Sequence, residues 1–188
     1  GLGAKGLNCW DYGRSIGIRI MGSNNLIQYN VISCTEEAAV QLNSPGSLNQ
    51  IMDNIIGLNV ENKIIGNLPG PIFGNTGNGI GVSNSNTNTI KDNFISHSAL
   101  SGIVVNSGKW NIIDNNRIGI NGEGNSGSGN SYVGNTEYGI WLQDNSIENI
   151  IKKNIVAGNG KTGIYLTGGN NKWNDIYANF VGTNWDFV

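Results

Sequence analysis

One eight-residue motif, Asn-x-Ile-x-x-Asn-x-(Ile/Val), occurs six times along this chain of 188 residues. Its copies begin at Asn25, Asn49, Asn88, Asn111, Asn149 and Asn174. These starts are separated by 24, 39, 23, 38 and 25 residues, so short and long repeats alternate. A motif that recurs in this way is typical of solenoids, in which each repeat packs only against its neighbours.

A second motif, an apolar-x-apolar triplet, lies upstream of each copy and usually follows a glycine. Its apolar pairs are Ile18/Ile20, Val40/Leu42, Ile80/Val82, Ile103/Val105, Ile140/Leu142 and Ile164/Leu166. Each repeat therefore contains three short strands with period-two alternation. Stacking the strands in register buries the aliphatic side chains in one core, and each buried Ile contributes ~1.5–3 kcal/mol. We predict one all-β domain over residues 1–188, a right-handed parallel β-helix of about six coils with partial coils at both ends and no capping helix.

The second Asn of the motif falls at a predicted turn between strands. Asn tolerates a left-handed backbone in such turns, and stacked side-chain amides can bond from coil to coil as a ladder. Six equivalent copies indicate architecture rather than catalysis. The predicted ladder consists of Asn30, Asn54, Asn93, Asn116, Asn154 and Asn179.

Three further segments follow the eight-residue motif: Ile56-Gly57-Leu58-Asn59, Ile118-Gly119-Ile120-Asn121 and Val181-Gly182-Thr183-Asn184. With the repeats above, they make the sequence resemble the parallel β-helix proteins of the pectate-lyase-like superfamily. The resemblance is closest to the Asn- and Gly-rich surface proteins of bacteria and archaea. It implies an extracellular or cell-surface location, and it specifies a fold more than a function, because this scaffold hosts many activities.

Charge and hydropathy exclude some partners. Charged residues make up 13% of the chain and the net charge is -2, which gives no electrostatic reason to expect nucleic acid as a partner. No apolar run approaches the ~20 residues that a membrane span needs.

The two cysteines, Cys9 and Cys34, lie about one coil apart in the repeat. Stacked coils place equivalent Cα atoms roughly 4.8 Å apart, a separation that a disulfide tolerates. We expect a disulfide between them, with two unrelated small core residues as the alternative.

The ends of the chain suggest a structural role. Both fall inside a long coil, and the total length is close to three two-coil units of about 62 residues. The terminal coils of two copies would together complete another long coil. Because such a head-to-tail contact does not close, it would build a filament. The first hypothesis is therefore an extracellular structural repeat protein that self-associates through its terminal coils.

Carboxylates near the motif suggest a second hypothesis. Asp53 and Asp92 occupy the same motif position in adjacent coils, and Asp114 lies nearby. Close carboxylates can hold Ca²⁺ or act as an acid/base pair, and the alternative is a solvated acidic patch balanced by Lys91. No other cofactor is expected. The single histidine, His97, is predicted to be exposed and incidental, and we lean towards a protein that is not an enzyme.

Aromatic residues supply the runner-up function, a carbohydrate-binding or polysaccharide-degrading module. Trp141 and Tyr165 follow the first residue of adjacent triplets, so alternation points both outward, and Tyr138 lies just before. Trp110 and Trp173 share the position before the first motif Asn, two coils apart. Exposed rings of this kind can stack on sugars, whereas the alternative is that they only stabilise neighbouring strands.

Overall fold

The computed structural model describes residues 16–61, 74–125 and 133–182. Its regular structure in these ranges consists of eighteen short strands. They form three parallel sheets of six strands, and each coil contributes one strand to every sheet. The chain is therefore an all-β parallel β-helix of six coils, as the repeat predicts.

The strands are numbered in chain order and fall into three sets. The first sheet contains β1 (Ile18–Ile20), β4 (Val40–Asn43), β7 (Ile80–Ser83), β10 (Ile103–Asn106), β13 (Ile140–Gln143) and β16 (Ile164–Thr167). The second sheet contains β2 (Leu26–Gln28), β5 (Gln50–Met52), β8 (Thr89–Lys91), β11 (Ile112–Asp114), β14 (Ile150–Lys152) and β17 (Asp175–Tyr177). The third sheet contains β3 (Val31–Ile32), β6 (Ile55–Ile56), β9 (Phe94–Ile95), β12 (Arg117–Ile118), β15 (Ile155–Val156) and β18 (Phe180–Val181).

The central Ile of the motif forms one column through the core. Pairing places Ile27, Ile51, Ile90, Ile113, Ile151 and Ile176 directly opposite one another in successive coils. The first five are at most 6% exposed. Ile176, in the last described coil, is 44% exposed. The aliphatic column supplies the apolar burial that stabilises strands too short to persist alone.

The second Asn of each motif joins its coil to the next. Asn54 Oδ1 accepts hydrogen bonds from both the backbone N and Nδ2 of Asn30, at 2.9 and 3.0 Å. Asn93 Oδ1 accepts the same pair from Asn54, and the pattern continues through Asn116, Asn154 and Asn179. Since the inner amides are buried, these bonds satisfy polar groups that would otherwise be costly to desolvate.

The first motif Asn builds a second ladder that the sequence prediction did not include. Asn25 Nδ2 donates to Asn49 Oδ1 at 2.9 Å, and the same bond links every later coil as far as Asn174. Two parallel ladders therefore bracket each strand of the second sheet.

The left-handed turn residue is not the one that the sequence predicts. It is the residue before the second motif Asn, and in all six coils it has φ between 53° and 58°: Tyr29, Asp53, Asp92, Asn115, Lys153 and Ala178. The Asn itself has no positive φ, because its amide is held by the ladder while the preceding residue makes the turn. A second left-handed row, which we call the corner row, joins the first and second sheets and contains Asn24, Leu48, Thr87, Trp110, Glu148 and Trp173.

The glycine before the triplet allows neighbouring coils to approach each other. A Cβ at Gly102 would lie 2.6 Å from Ile118 Cγ2 and 2.8 Å from the carbonyl oxygen of Gly139. The third sheet and the next coil therefore leave little room there for a side chain.

The predicted disulfide has one end within the described residues. Cys34 is 1% exposed and is not a free cysteine. Cys9 lies outside the described residues, so the pairing stays a prediction.

Candidate functional site

The candidate site is the outer face of the first sheet. Residues one after the start of each strand point away from the core and are paired in register from coil to coil. This outer row reads Arg19, Gln41, Gly81, Val104, Trp141 and Tyr165. Because it has no repeating residue type, it differs from every row that builds the core.

Three aromatic rings meet on this face and form what we call the aromatic cluster: Tyr138, Trp141 and Tyr165. The rings of Tyr138 and Tyr165 are stacked, with centroids 4.7 Å apart and planes at 22°. Tyr138 and Trp141 lie 4.8 Å apart at 54°, and Trp141 and Tyr165 lie 6.2 Å apart at 32°. All three side chains are half-buried, so the cluster is packed and still reaches the surface.

Polar partners orient the aromatic cluster. Trp141 Nε1 donates a hydrogen bond to Thr167 Oγ1 at 2.8 Å, which fixes the indole against the next coil. Lys161 Nζ lies 5.3 Å from the ring centroid of Tyr138 and 2.6 Å from Glu137 Oε1. The hydrogen bond to Glu137 raises the pKa of Lys161, so the ammonium stays charged.

Beside the cluster, the face carries several side-chain amides. Gly81 has no side chain, and a Cβ there would lie 2.2 Å from Gln41 Oε1, so the Gln41 side chain extends across this gap. Val104, next to Trp141 in the outer row, is 9% exposed. Asn106 Nδ2 donates to Gln143 Oε1 at 3.1 Å. Rings beside hydrogen-bonding amides can contact the apolar and the hydroxyl surfaces of a sugar.

The five predicted aromatic residues do not form one group. Trp110 and Trp173 lie in the corner row, where they are 51% and 73% exposed. Trp110 Nε1 donates to Glu148 Oε2 at 2.9 Å, and Glu148 stands between the two tryptophans in that row. The structure therefore divides the predicted set into the aromatic cluster and a separate pair at the corner.

The three predicted carboxylates are also divided. Asp53 and Asp92 occupy the same left-handed turn position of adjacent coils, as predicted. Asp53 accepts a hydrogen bond from Gln28 Nε2 at 3.0 Å, and Asp92 accepts one from Asn115 Nδ2 at 2.6 Å.

Asp114 lies one residue earlier in the repeat, opposite Lys91 and Lys152 in the neighbouring strands. Its Oδ2 is 3.9 Å from Lys152 Nζ. Within the described ranges, no group of three His, Cys, Asp or Glu side chains is arranged to hold a metal ion. Ca²⁺ therefore stays a prediction from sequence.

The prediction that His97 is exposed is wrong. The residue is 8% exposed, and burial lowers its pKa to about 4. It follows β9 at a left-handed position with φ 53°, and its backbone N donates to the carbonyl of Val133 in the next coil. The next coil, which contacts this turn through Val133, shields His97 from water, and the local sequence Ser96-His97-Ser98 does not reveal this.

Sequence reasoning missed Glu137, Lys161 and Thr167, which surround the aromatic cluster. Aligning the triplets would have found the first two, since each lies three residues before the first residue of its strand, Ile140 or Ile164. Thr167 lies two residues after Tyr165 on the same outward side, so strand alternation would have found it.

A family model described as the right handed beta helix region matches residues 57–182, about two thirds of the chain. The protein therefore belongs to the right-handed β-helix family. No curated protein matches the sequence.

Two solved structures share the fold. The mutant periplasmic alginate epimerase AlgG is 13% identical, with a TM-score of 0.55 over 84% of this chain and 45% of its own. A catalytic domain of a GH87 alpha-1,3-glucanase in complex with tetrasaccharides is 16% identical, with a TM-score of 0.52 over 84% of this chain and 26% of its own. The chain thus spans less than half the length of either protein. No helix suited to crossing a membrane occurs in the described part of the chain.

Proposed function

We propose that this protein is a carbohydrate-binding β-helix module that holds a polysaccharide on the outer face of its first sheet. The observation that carries the proposal is the aromatic cluster of Tyr138, Trp141 and Tyr165. These rings occupy outward positions of the first sheet, on strands whose inward aliphatic residues belong to the core.

The burial of the rings supports binding over simple strand stabilisation. A core ring would be fully covered, whereas these three are half-buried and share one surface. The bond from Trp141 Nε1 to Thr167 fixes the indole before any ligand arrives. Such preorganisation reduces the entropy lost on binding.

The similar structures lend weight to the same class of ligand. One is an alginate epimerase and the other is a glucanase in complex with tetrasaccharides. Both act on polysaccharides, and one is periplasmic. This likeness supports a location outside the cytoplasm, and we assign no catalytic residue to the face.

The test is affinity electrophoresis of the whole chain against laminarin, dextran, xylan and alginate, followed by titration calorimetry with any polymer that retards it. Trp141→Ala should weaken binding by on the order of tenfold or more, because it removes the largest ring of the cluster, which contacts both tyrosines. Tyr165→Ala should act in the same direction and more weakly.

The matched control is Trp173→Ala, which removes a more exposed tryptophan from the corner row. It should change affinity by less than about twofold, within the range of peripheral contacts. Loss of binding with Trp173→Ala alone would move the site to the corner row, and no retardation by any polymer would refute the proposal. Circular dichroism of each variant separates lost binding from lost folding.

Head-to-tail assembly into a filament is not part of this proposal. The contact would be made by residues 1–15 and 183–188, which lie outside the described ranges. Neither similar structure adds support for it.

A further inference from the structure

We infer that the site takes a neutral polysaccharide rather than a polymer of uronic acids. This inference rests on the proposed function and concerns the ligand class of the same face. It follows from the charges around the aromatic cluster, each of which has a defined place in the repeat.

Two cations lie on the described outer face of the first sheet, and both are paired. Lys161 Nζ is 2.6 Å from Glu137 Oε1, immediately beside the cluster. Arg19 Nη2 is 3.8 Å from Glu37 Oε2, at the opposite end of the face. An anionic sugar would have to compete with a resident carboxylate for either cation.

The outer face therefore presents no surplus of positive charge. Each of its two cations has a carboxylate partner, and Asp144 follows the last residue of β13, next to Gln143. A polyanion would gain no net attraction as it approaches, while a neutral chain needs none.

The uncharged groups suit a neutral sugar. The floor beside Trp141 carries the amides of Gln41, Asn106 and Gln143, which can donate to and accept from hydroxyl groups. A bound uronate would need a charged donor to replace its lost hydration, and the amides supply none.

The experiment measures binding of the whole chain to two matched sets of polymers by calorimetry. The neutral set is laminarin, dextran and xylan. The acidic set is carboxymethylated laminarin, carboxymethylated dextran and alginate. We expect the tightest neutral polymer to bind at least about tenfold more tightly than its acidic counterpart. Its affinity should change little between about 0.01 M and 1 M salt, over which charge interactions are progressively screened.

Glu137→Gln tests the cause directly, because it frees Lys161 from its partner. The ratio of acidic to neutral affinity should rise about two- to fivefold, the range of an exposed ion pair. Glu148→Gln is the control, since it removes one negative charge from the corner row and should leave the ratio unchanged.

The outcomes separate this inference from the function on which it rests. Tighter, salt-sensitive binding of acidic polymers would overturn the inference while leaving carbohydrate binding in place. An unchanged ratio in Glu137→Gln would also overturn it. Failure of both sets to bind would instead refute the proposed function.

Discussion

The interior of the solenoid and the outer face of its first sheet follow opposite rules. Inside, aliphatic residues recur in every coil, and the column from Ile27 to Ile176 in the second sheet keeps a single residue type. Outside, the row from Arg19 to Tyr165 never repeats a residue. Stacking requires identical neighbours only where side chains must fill a shared space. Residues on the outer face can therefore differ from coil to coil with little loss of stability, and they are free to serve in ligand binding.

The largest effect is expected from breaking an Asn ladder in its middle. Asn93 accepts two hydrogen bonds from Asn54 and donates to Asn116 Oδ1 and to two carbonyl groups, all close to the core. Asn93→Ala should lower the free energy of unfolding by on the order of 5 kcal/mol, because several buried polar groups lose their partner. Urea denaturation measures this change.

The control for the ladder is Asn145→Ala. Asn145 is exposed and accepts one bond, from Asn170 Nδ2. Its replacement should cost less than about 1 kcal/mol. Equal losses of unfolding free energy in the two variants would contradict the expectation that the buried ladder stabilises the fold more than an exposed amide does.

The next largest effect tests the aliphatic column. Ile113 is 0% exposed and lies between Ile90 and Ile151. Ile113→Ala should cost about 2–5 kcal/mol, since it removes buried methyl groups and leaves a cavity. Ile176→Ala, in the same column but 44% exposed, should cost about 1 kcal/mol or less by the same chemical denaturation. A smaller loss for Ile113 than for Ile176 would contradict a shared core.

His97 tests a buried position that does not repeat. The pKa of its imidazole is about 4 in the folded protein, below the usual 6.5. Between these values the unfolded chain binds more protons, so acid favours unfolding. The free energy of unfolding should fall as pH drops below 6.5, by about 2 kcal/mol at pH 5 and about 3 kcal/mol near pH 4.

The measurement is denaturant unfolding across this pH range, compared with His97→Gln. Since the chain has one histidine, the difference in pH slope between the two proteins isolates this residue. Parallel slopes would mean that the imidazole is hydrated in solution.

The smallest effect is expected on the outer face. The Arg19–Glu37 pair spans 3.8 Å between side chains that are 58% and 62% exposed. Arg19→Ala should therefore change the unfolding free energy by less than about 0.5 kcal/mol. A loss of unfolding free energy comparable with that of Ile113→Ala would show that the outer face stabilises the fold as strongly as the core does.

The candidate site was predictable in part. Strand alternation alone placed Trp141 and Tyr165 outward on adjacent coils, and the structure puts their rings 6.2 Å apart. Alternation could not separate Trp110 and Trp173 from them, because these residues lie in turns where period two does not apply. Alternation also could not predict that His97 is buried, since its burial depends on contact with Val133, which is distant in sequence.

The fold, the register and the core of this protein follow from its amino-acid sequence. Its repeat dictates which residues stack, because any slip between coils would bring unlike residues together and break both the Ile column and the Asn ladders. Three-dimensional packing, in contrast, sets which turn residue is left-handed, which rings meet and which charges are paired. Those outcomes depend on backbone torsions at the corners and on loops of unequal length, where the repeat imposes no rule.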